Sequence, residues 1–133
     1  MICTQFSPQW QAAVDQLFAS IFDPTEIPYY VKTVIDGSSL VAVDDGELVG
    51  FLLLTHTPND VCEYQLAYLA VDERYRQQGV ASAMLEALPH SVWLEVLSSN
   101  TTACDFYLKR GFTIHESFTC SDGTGGHVFI SPQ

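Results

Sequence analysis

Basic residues are what this chain has least of. Lys and Arg together number five against sixteen Asp and Glu, a formal charge of −11 over 133 residues. So few cations exclude phosphate-tracking attachment to DNA or RNA and a polybasic grip on anionic lipid, and they favour a cationic partner. Long apolar runs are missing too. The longest, at 48–54, is interrupted by Gly50 and falls far short of the roughly 20 residues that span a bilayer. The first residues show no basic segment ahead of an apolar core. A soluble, cytoplasmic protein without membrane attachment is expected. The four cysteines, Cys3, Cys62, Cys104 and Cys120, contain no CxxC pair and have no His at ligand spacing, which excludes a structural zinc site and predicts four reduced thiols. The histidines, His56, His90, His115 and His127, are equally scattered and point to no triad or metal centre. Repeats, linkers and low-complexity tails are absent.

What is present is enough apolar material, 47% of residues, for the real core of one domain over 1–133. Ser7-Pro8 starts a helix in which Trp10, Ala13, Val14, Leu17, Phe18 and Ile21 recur on one face until Asp23-Pro24 breaks it. A second, shorter helix is predicted over 26–35, with Ile27, Tyr30, Val31 and Val34 on a common side. Strands follow at 39–43 and 47–57, joined by the hairpin signal Asp44-Asp45-Gly46, and a third strand at 61–71 completes a meander. Val80, Ala81, Met84, Leu85 and Leu88 then form an amphipathic helix stopped by Pro89, and 92–97 is a short apolar strand. This βαβ unit predicts parallel pairing of 61–71 with 92–97 and a ligand at their carboxyl ends. Ser98-Ser99-Asn100 caps a helix ending at Arg110 and Gly111. Strands at 112–119 and 127–131, separated by a Gly-rich loop at 121–126, close an α/β fold.

Between the third strand and its helix lies VDERYRQQGVAS, a polar turn carrying Arg76, Gly79 and Ala81. Gly79 lets backbone approach a ligand closely, and the N–H groups opening the helix point outward as anion donors. Such a turn cradles a diphosphate. Arg74 and Arg76 flank it and Lys109 and Arg110 close the later helix, so positive charge gathers where a phosphate-bearing cofactor is expected.

The stretch LAVDERYRQQGVASAMLEAL resembles the acetyl-CoA motif of the GNAT superfamily of N-acetyltransferases, in which Arg76, Gly79 and Ala81 fill the pyrophosphate-loop positions. LEVLSSNTTACDFYLKRGF resembles the second motif of that superfamily through Asn100, Ala103, Tyr107 and Gly111-Phe112. The similarity covers nearly the whole chain and, within the superfamily, is nearest to bacterial acetyltransferases of ribosomal-protein N-termini. It implies a GNAT fold, a central mixed sheet of six to seven strands flanked by four helices, and acetyl-CoA as co-substrate without a metal. The brief helix after the cradle and the small loop before the last strand depart from the pattern where acceptor walls are usually built.

Acetyl transfer to an amine needs a neutral nucleophile, a stabilised oxyanion and a proton for the thiolate. The resemblance makes Glu95 the base and Tyr107 the acid. Partial burial of Glu95 between Leu94 and Val96 would raise its pKa towards that of a useful base, with Glu63 or a water as the other candidates. A phenol, with reference pKa of about 10, stays protonated and able to donate at neutral pH. By the same resemblance the N–H groups of Leu69, Ala70 and Val71 meet the thioester oxygen and pantetheine arm. Gln77, Gln78, Gly79, Val80, Ala81 and Ser82 hold the diphosphate with Arg76. Asn100 is either a pantetheine contact or a plain helix cap, and Lys109 or Arg110 either a nucleotide-phosphate contact or a favourable charge at a helix end. The acceptor is a cationic amine: a protein N-terminus or lysine, a polyamine, or an aminoglycoside-like base. The protein is a monomer or homodimer. The alternative is a catalytically silent acetyl-CoA-binding module that regulates a partner protein.

Overall fold

The computed structural model describes residues 1–132, which fall into two compact units interleaved along the chain. One comprises Met1–Thr55 and Leu66–Pro89, the other His56–Gln65 and the residues from His90 onward. The strands are β1 (Ile2–Gln5), β2 (Leu40–Asp44), β3 (Glu47–Thr55), β4 (Tyr64–Val71), β5 (Val92–Leu97), β6 (Thr113–Thr119) and β7 (Gly125–Ile130). They are hydrogen-bonded in the order β1-β2-β3-β4-β5-β7-β6. Four α-helices, α1 (Gln11–Ile21), α2 (Ile27–Tyr30), α3 (Val80–Glu86) and α4 (Thr101–Lys109), complete the expected mixed α/β architecture. The pairing of β4 with β5 is parallel, through Tyr64 opposite Val92 and Gln65 opposite Trp93, as the βαβ reading requires.

In the first unit, helices cover both faces of β2 and β3. Val14, Leu17 and Phe18 of α1 pack with Tyr30, Val41, Phe51, Leu53 and Ala70 in one buried cluster. Because side chains alternate along a strand, Gly50, Leu52 and Leu54 face the other way, where Val80 and Met84 of α3 lie within reach of Gly50. Fully burying one of these apolar side chains contributes roughly 2 kcal/mol. A bulge leaves Val49 without an opposite residue, since Ala42 faces Gly50 and Val43 faces Leu48. The bulged residue is used, for its carbonyl accepts the Asp72 N–H at 2.8 Å and so moors the segment that follows β4.

In the second unit, β7 is inserted between β5 and β6 and is antiparallel to both. Ser131 ties its end to the start of β5, its Oγ accepting the Val92 N–H and its N–H donating to the Val92 carbonyl, both at 2.9 Å. Tyr107 of α4 packs its ring against Phe112 and Phe129 with centroids 5.2 and 6.0 Å away.

Several expected boundaries change. The second helix is a 3-10 turn, Pro24–Glu26, followed by only four α-helical residues. The β-branched run Val31, Thr33, Val34 and Ile35 loses side-chain freedom in a helix. Of the face expected to pack, only Tyr30 is buried, while Val31 is 68% and Val34 82% exposed. Strand β4 begins at Tyr64 rather than at 61 because the Asn59 side chain accepts the N–H groups of Val61 and Cys62 and takes them out of any ladder. The last strand starts at Gly125, which shortens the expected loop. Strand β1 went unread, being four mostly exposed residues with no alternation to mark it. Among the described residues no helix is long and apolar enough to cross a membrane, and no three His, Cys, Asp or Glu side chains gather as metal ligands would.

Candidate active site

The first unit carries the turn between β4 and α3. Val71 ends the strand and Asp72 opens a 3-10 turn, Glu73–Tyr75, which it caps by accepting the Arg74 N–H at 2.9 Å. The Arg74 guanidinium bonds the same carboxylate at 3.2 Å, and these bonds hold the Asp72 carboxyl below its usual range. Arg74 is therefore already neutralised, a correction to its expected role as charge for a phosphate. Arg76 differs. Its Nε donates to the Val71 carbonyl at 3.3 Å, which fixes the side chain to the end of β4, and among the described residues no carboxylate pairs with it.

Beyond Arg76 the backbone twice enters the left-handed region, at Gln77 with φ 62° and at Gly79 with φ 78°. Gly79 adopts that conformation without strain, whereas Gln77 costs about 1 kcal/mol or more. The outcome is an exposed, sharply folded turn that delivers the chain into α3 at Val80. The first helical bond runs from the Ala83 N–H to the Gly79 carbonyl at 2.9 Å, so the Val80 and Ala81 N–H groups precede the helical ladder. A Cβ placed on Gly79 would meet nothing within 4 Å, which leaves that side of the turn open. Leu69, Ala70 and Val71 are half-buried or buried at the end of β4, and Gln78 bonds back to the Arg74 carbonyl at 3.2 Å.

The second unit carries Glu95, Asn100, Ala103, Tyr107 and Lys109. Leu94 and Phe129 are directly opposite in the ladder and share a face, the face on which Tyr107 packs. Glu95, one residue on, points to the other face and is exposed. The expected partial burial between Leu94 and Val96 is thus not found, because alternation places those two on the opposite side. The expected acid and base occupy opposite faces of the β5–β7 layer. Glu116 stands across Val128 from Glu95, so two carboxylates share that face. Glu63 is also exposed and is paired with His56 at 3.7 Å.

Tyr107 is 7% exposed, and burial alone pushes its phenol up to about 12. No side-chain N or O atom sealed from water lacks a partner among the described residues. The phenol draws on no hydrogen bond, so its hydroxyl keeps contact with water while the ring is packed. Asn100 is a true cap, its Oδ1 accepting the Ala103 N–H at 3.2 Å. Its side-chain NH2 is not used by the cap. The two cations that close α4 separate: Arg110 folds back over the Phe106 ring at 3.7 Å and donates to the Phe106 carbonyl at 3.0 Å, whereas Lys109 is exposed in the last turn.

Two features went unread in the sequence. A Cβ on Gly50 would stand 3.0 Å from the Ala70 carbonyl oxygen and 3.2 and 3.3 Å from Met84 and Val80, so the missing side chain is what seats α3 against β3 and β4. A lone Gly within an apolar strand was the signal for such a close approach. Histidines that look scattered are gathered locally: His90 stacks on Tyr64 at 3.9 Å and His56 meets the same ring edge-on at 5.2 Å. No residue spacing announces that arrangement.

Comparison with known proteins gives a consistent result. The acetyltransferase (GNAT) family model matches residues 4–112. An N-alpha-acetyltransferase of Sulfurisphaera tokodaii is 31% identical over an alignment of 111 positions that covers 67% of this chain and 66% of that protein. A streptothricin acetyltransferase of Escherichia coli is 33% identical over 87 residues, 59% of this chain and 49% of that one. The chain thus spans about two thirds and about half the length of these curated relatives. Among solved structures, the ribosomal-protein-S18-alanine N-acetyltransferase from Escherichia coli shares the fold, with a TM-score of 0.74 at 20% identity over 98% of this chain and 92% of that one.

Proposed function

The chain belongs to the acetyltransferase (GNAT) family, and from that premise we propose that it transfers the acetyl group of acetyl-CoA to a primary amine by direct attack in a ternary complex. The observation that carries the proposal is the turn after β4, where Gly79 is left-handed and open, Arg76 forms no ion pair with a carboxylate among the described residues, and Val80 and Ala81 have N–H groups ahead of the helical ladder. That set fits a diphosphate. In this reading Gln77, Gln78, Gly79, Val80, Ala81 and Ser82 hold the diphosphate, Leu69, Ala70 and Val71 the thioester end, Asn100 and Ala103 the pantetheine, and Lys109 a nucleotide phosphate.

Acetyl-CoA supplies an activated carbonyl and a thiolate leaving group. The amine nitrogen forms a bond to that carbonyl carbon as the C–S bond breaks. Glu95, directly or through a water, takes the proton of the incoming ammonium, with Glu63 in reserve. Tyr107 returns a proton to the sulfur. The acceptor is a cationic amine, for which the paired carboxylates Glu95 and Glu116 and the net charge of −11 are favourable. Of the relatives, one is an N-alpha-acetyltransferase and one a streptothricin acetyltransferase, and for this chain a peptide amine ranks first.

Calorimetry with acetyl-CoA, combined with thiol release over a panel of peptide, polyamine and aminoglycoside amines, tests the proposal. Binding with release on at least one amine is expected; binding with no release on any amine would instead identify a silent acetyl-CoA-binding module. Glu95→Gln is expected to lower kcat/KM about tenfold to a hundredfold at pH 7. The deficit should narrow as pH rises and the amine loses its proton unaided. A parallel pH profile for variant and parent would move the base to Glu63 or water. Asn100→Ala should lose about 1 kcal/mol of stability with its cap. Asn100→Ser keeps a capping oxygen and loses the side-chain NH2 without adding charge, so a drop in acetyl-CoA affinity with an unchanged melting temperature identifies the pantetheine contact.

A further inference from the structure

The first unit contains a cavity of about 560 Å³ whose lining includes Gln11, Asp15 and Phe18 of α1 and Ile27, Tyr30 and Val31 from α2 and its exit. We propose that this cavity binds an organic cation, an ammonium carried on an apolar or aromatic body. Its size is that of a small-molecule site, and its mainly apolar walls, to which Gln11, Tyr30 and Thr33 add neutral polar groups, carry one charged side chain. That side chain is Asp15. Its Oδ1 accepts from the Tyr30 hydroxyl and from Gln11 Nε2 at 2.9 Å, two neutral donors that hold the carboxylate in place. Its Oδ2 accepts from no group among the described residues.

Asp15 is exposed at the rim of the cavity and no Lys or Arg lines it, so the oriented carboxylate faces water and a cationic ligand is its chemical complement. Phe18, stacked on Phe22 at 4.3 Å and on Tyr30 at 4.0 Å, has both ring faces covered, so these rings form an apolar wall for the body of the ligand and leave its ammonium to Asp15. Burial is the main cause that raises the Tyr30 phenol, which keeps it a donor to Asp15 at every physiological pH. Exposure of Ile27 and Val31, 39% and 68%, gives two apolar side chains that a bound apolar body would cover.

The site is one ring removed from β4. Phe18 meets Tyr68 edge-on at 5.0 Å, and Tyr68 directly precedes Leu69. The bound cation is therefore either an acceptor amine or a non-reacting effector felt through that ring, and both present the same recognition chemistry.

The test uses the full chain without acetyl-CoA, titrated with 2-phenylethylamine, its N-trimethyl analogue and 2-phenylethanol while amide NMR shifts of Asp15, Phe18, Tyr30 and Thr33 are followed. Both cations are expected to move these amides, with the alcohol at least tenfold weaker. Asp15→Asn, which keeps the oxygen that accepts from Tyr30 and Gln11, should bring the cations down to the affinity of the alcohol. Val31→Trp fills the cavity from its neutral side and should weaken all three probes, which keeps the test valid if Asp15→Asn fails to fold. Equal binding of alcohol and amine, an unaltered affinity in Asp15→Asn, or shifts confined to amides outside the cavity would overturn the proposal. Thiol release with the same probes then separates the sources. Acetylation of 2-phenylethylamine, competed by the trimethyl analogue, makes the cavity an acceptor site, and binding of both cations without acetylation makes the cation an effector. Because binding is read without acetyl-CoA, loss of acetyl transfer with binding retained counts against the proposed reaction alone.

Discussion

Tyr107→Phe is expected to lower kcat about a hundredfold while acetyl-CoA affinity stays within about twofold of the parent. The substitution removes one hydroxyl and leaves the ring against Phe112 and Phe129. That hydroxyl has no internal hydrogen bond, so its loss orphans no partner and creates almost no cavity. Folding should be preserved. A second, independent signature follows from the phenol, which burial pushes up to about 12 from its ordinary 10.0. A group whose folded pKa is raised contributes stability in full below its unfolded pKa and loses it as pH climbs through the folded one. The parent should therefore lose about 2–3 kcal/mol between about pH 10 and 12 that Tyr107→Phe does not lose. Denaturant titrations at pH 9 and pH 11.5 measure this difference, and steady-state kinetics at neutral pH measure the other. A kcat within threefold of the parent would remove Tyr107 from the chemistry, and a tenfold loss of acetyl-CoA affinity would make it a binding residue.

Gly50→Val is expected to cost about 2–3 kcal/mol and lower the melting temperature by about 10 °C. Valine suits a strand, so propensity does not oppose it. The cost is steric. The new Cβ stands 3.0 Å from the Ala70 carbonyl oxygen, which is backbone and cannot rotate aside, and its branches press on Val80 and Met84. Helix α3 must move outward, and its first residues, Val80 and Ala81, move with it. Acetyl-CoA affinity should fall about tenfold in a variant that touches no ligand. Gly50→Ala should show the same two changes at smaller size, and melting curves with calorimetry on both variants provide the check. A variant as unstable as expected yet binding acetyl-CoA like the parent would show that the seating of α3 does not set the geometry of the turn.

Sequence and structure agree where a local signal has no competitor. Strand β5 lies at 92–97 as expected because Pro89 and Ser98 bracket an apolar run too short to be a helix. Gly79 opens the turn as expected, but that the chain turns left-handed there and again at Gln77 was not marked by any residue pattern. Agreement fails where tertiary context decides. The residues 31–35 carry apolar side chains at spacings that fit a helical face, yet Val31 and Val34 stay exposed while Ile35 packs against the core, and α2 ends at Tyr30. Glu95 shows the same limit within the site, since the residue is identified by its motif but its exposure depends on which face of β5 is covered. The motif singles out Arg76 over Arg74, and geometry supplies a reason the sequence does not show: Asp72 bonds the Arg74 guanidinium directly, whereas Arg76 is held on the Val71 carbonyl. Gly50 was visible as a glycine in a strand, but its role depends on the distance to a helix thirty residues later.

The placement of β7 between β5 and β6 bears on how the chain is made. During translation the two flanking strands leave the ribosome with no hydrogen-bonding neighbour between them, because the strand that joins them is synthesised last. Until it arrives, each presents an open edge to other nascent chains, which makes this interval the one most open to aggregation and most dependent on chaperones.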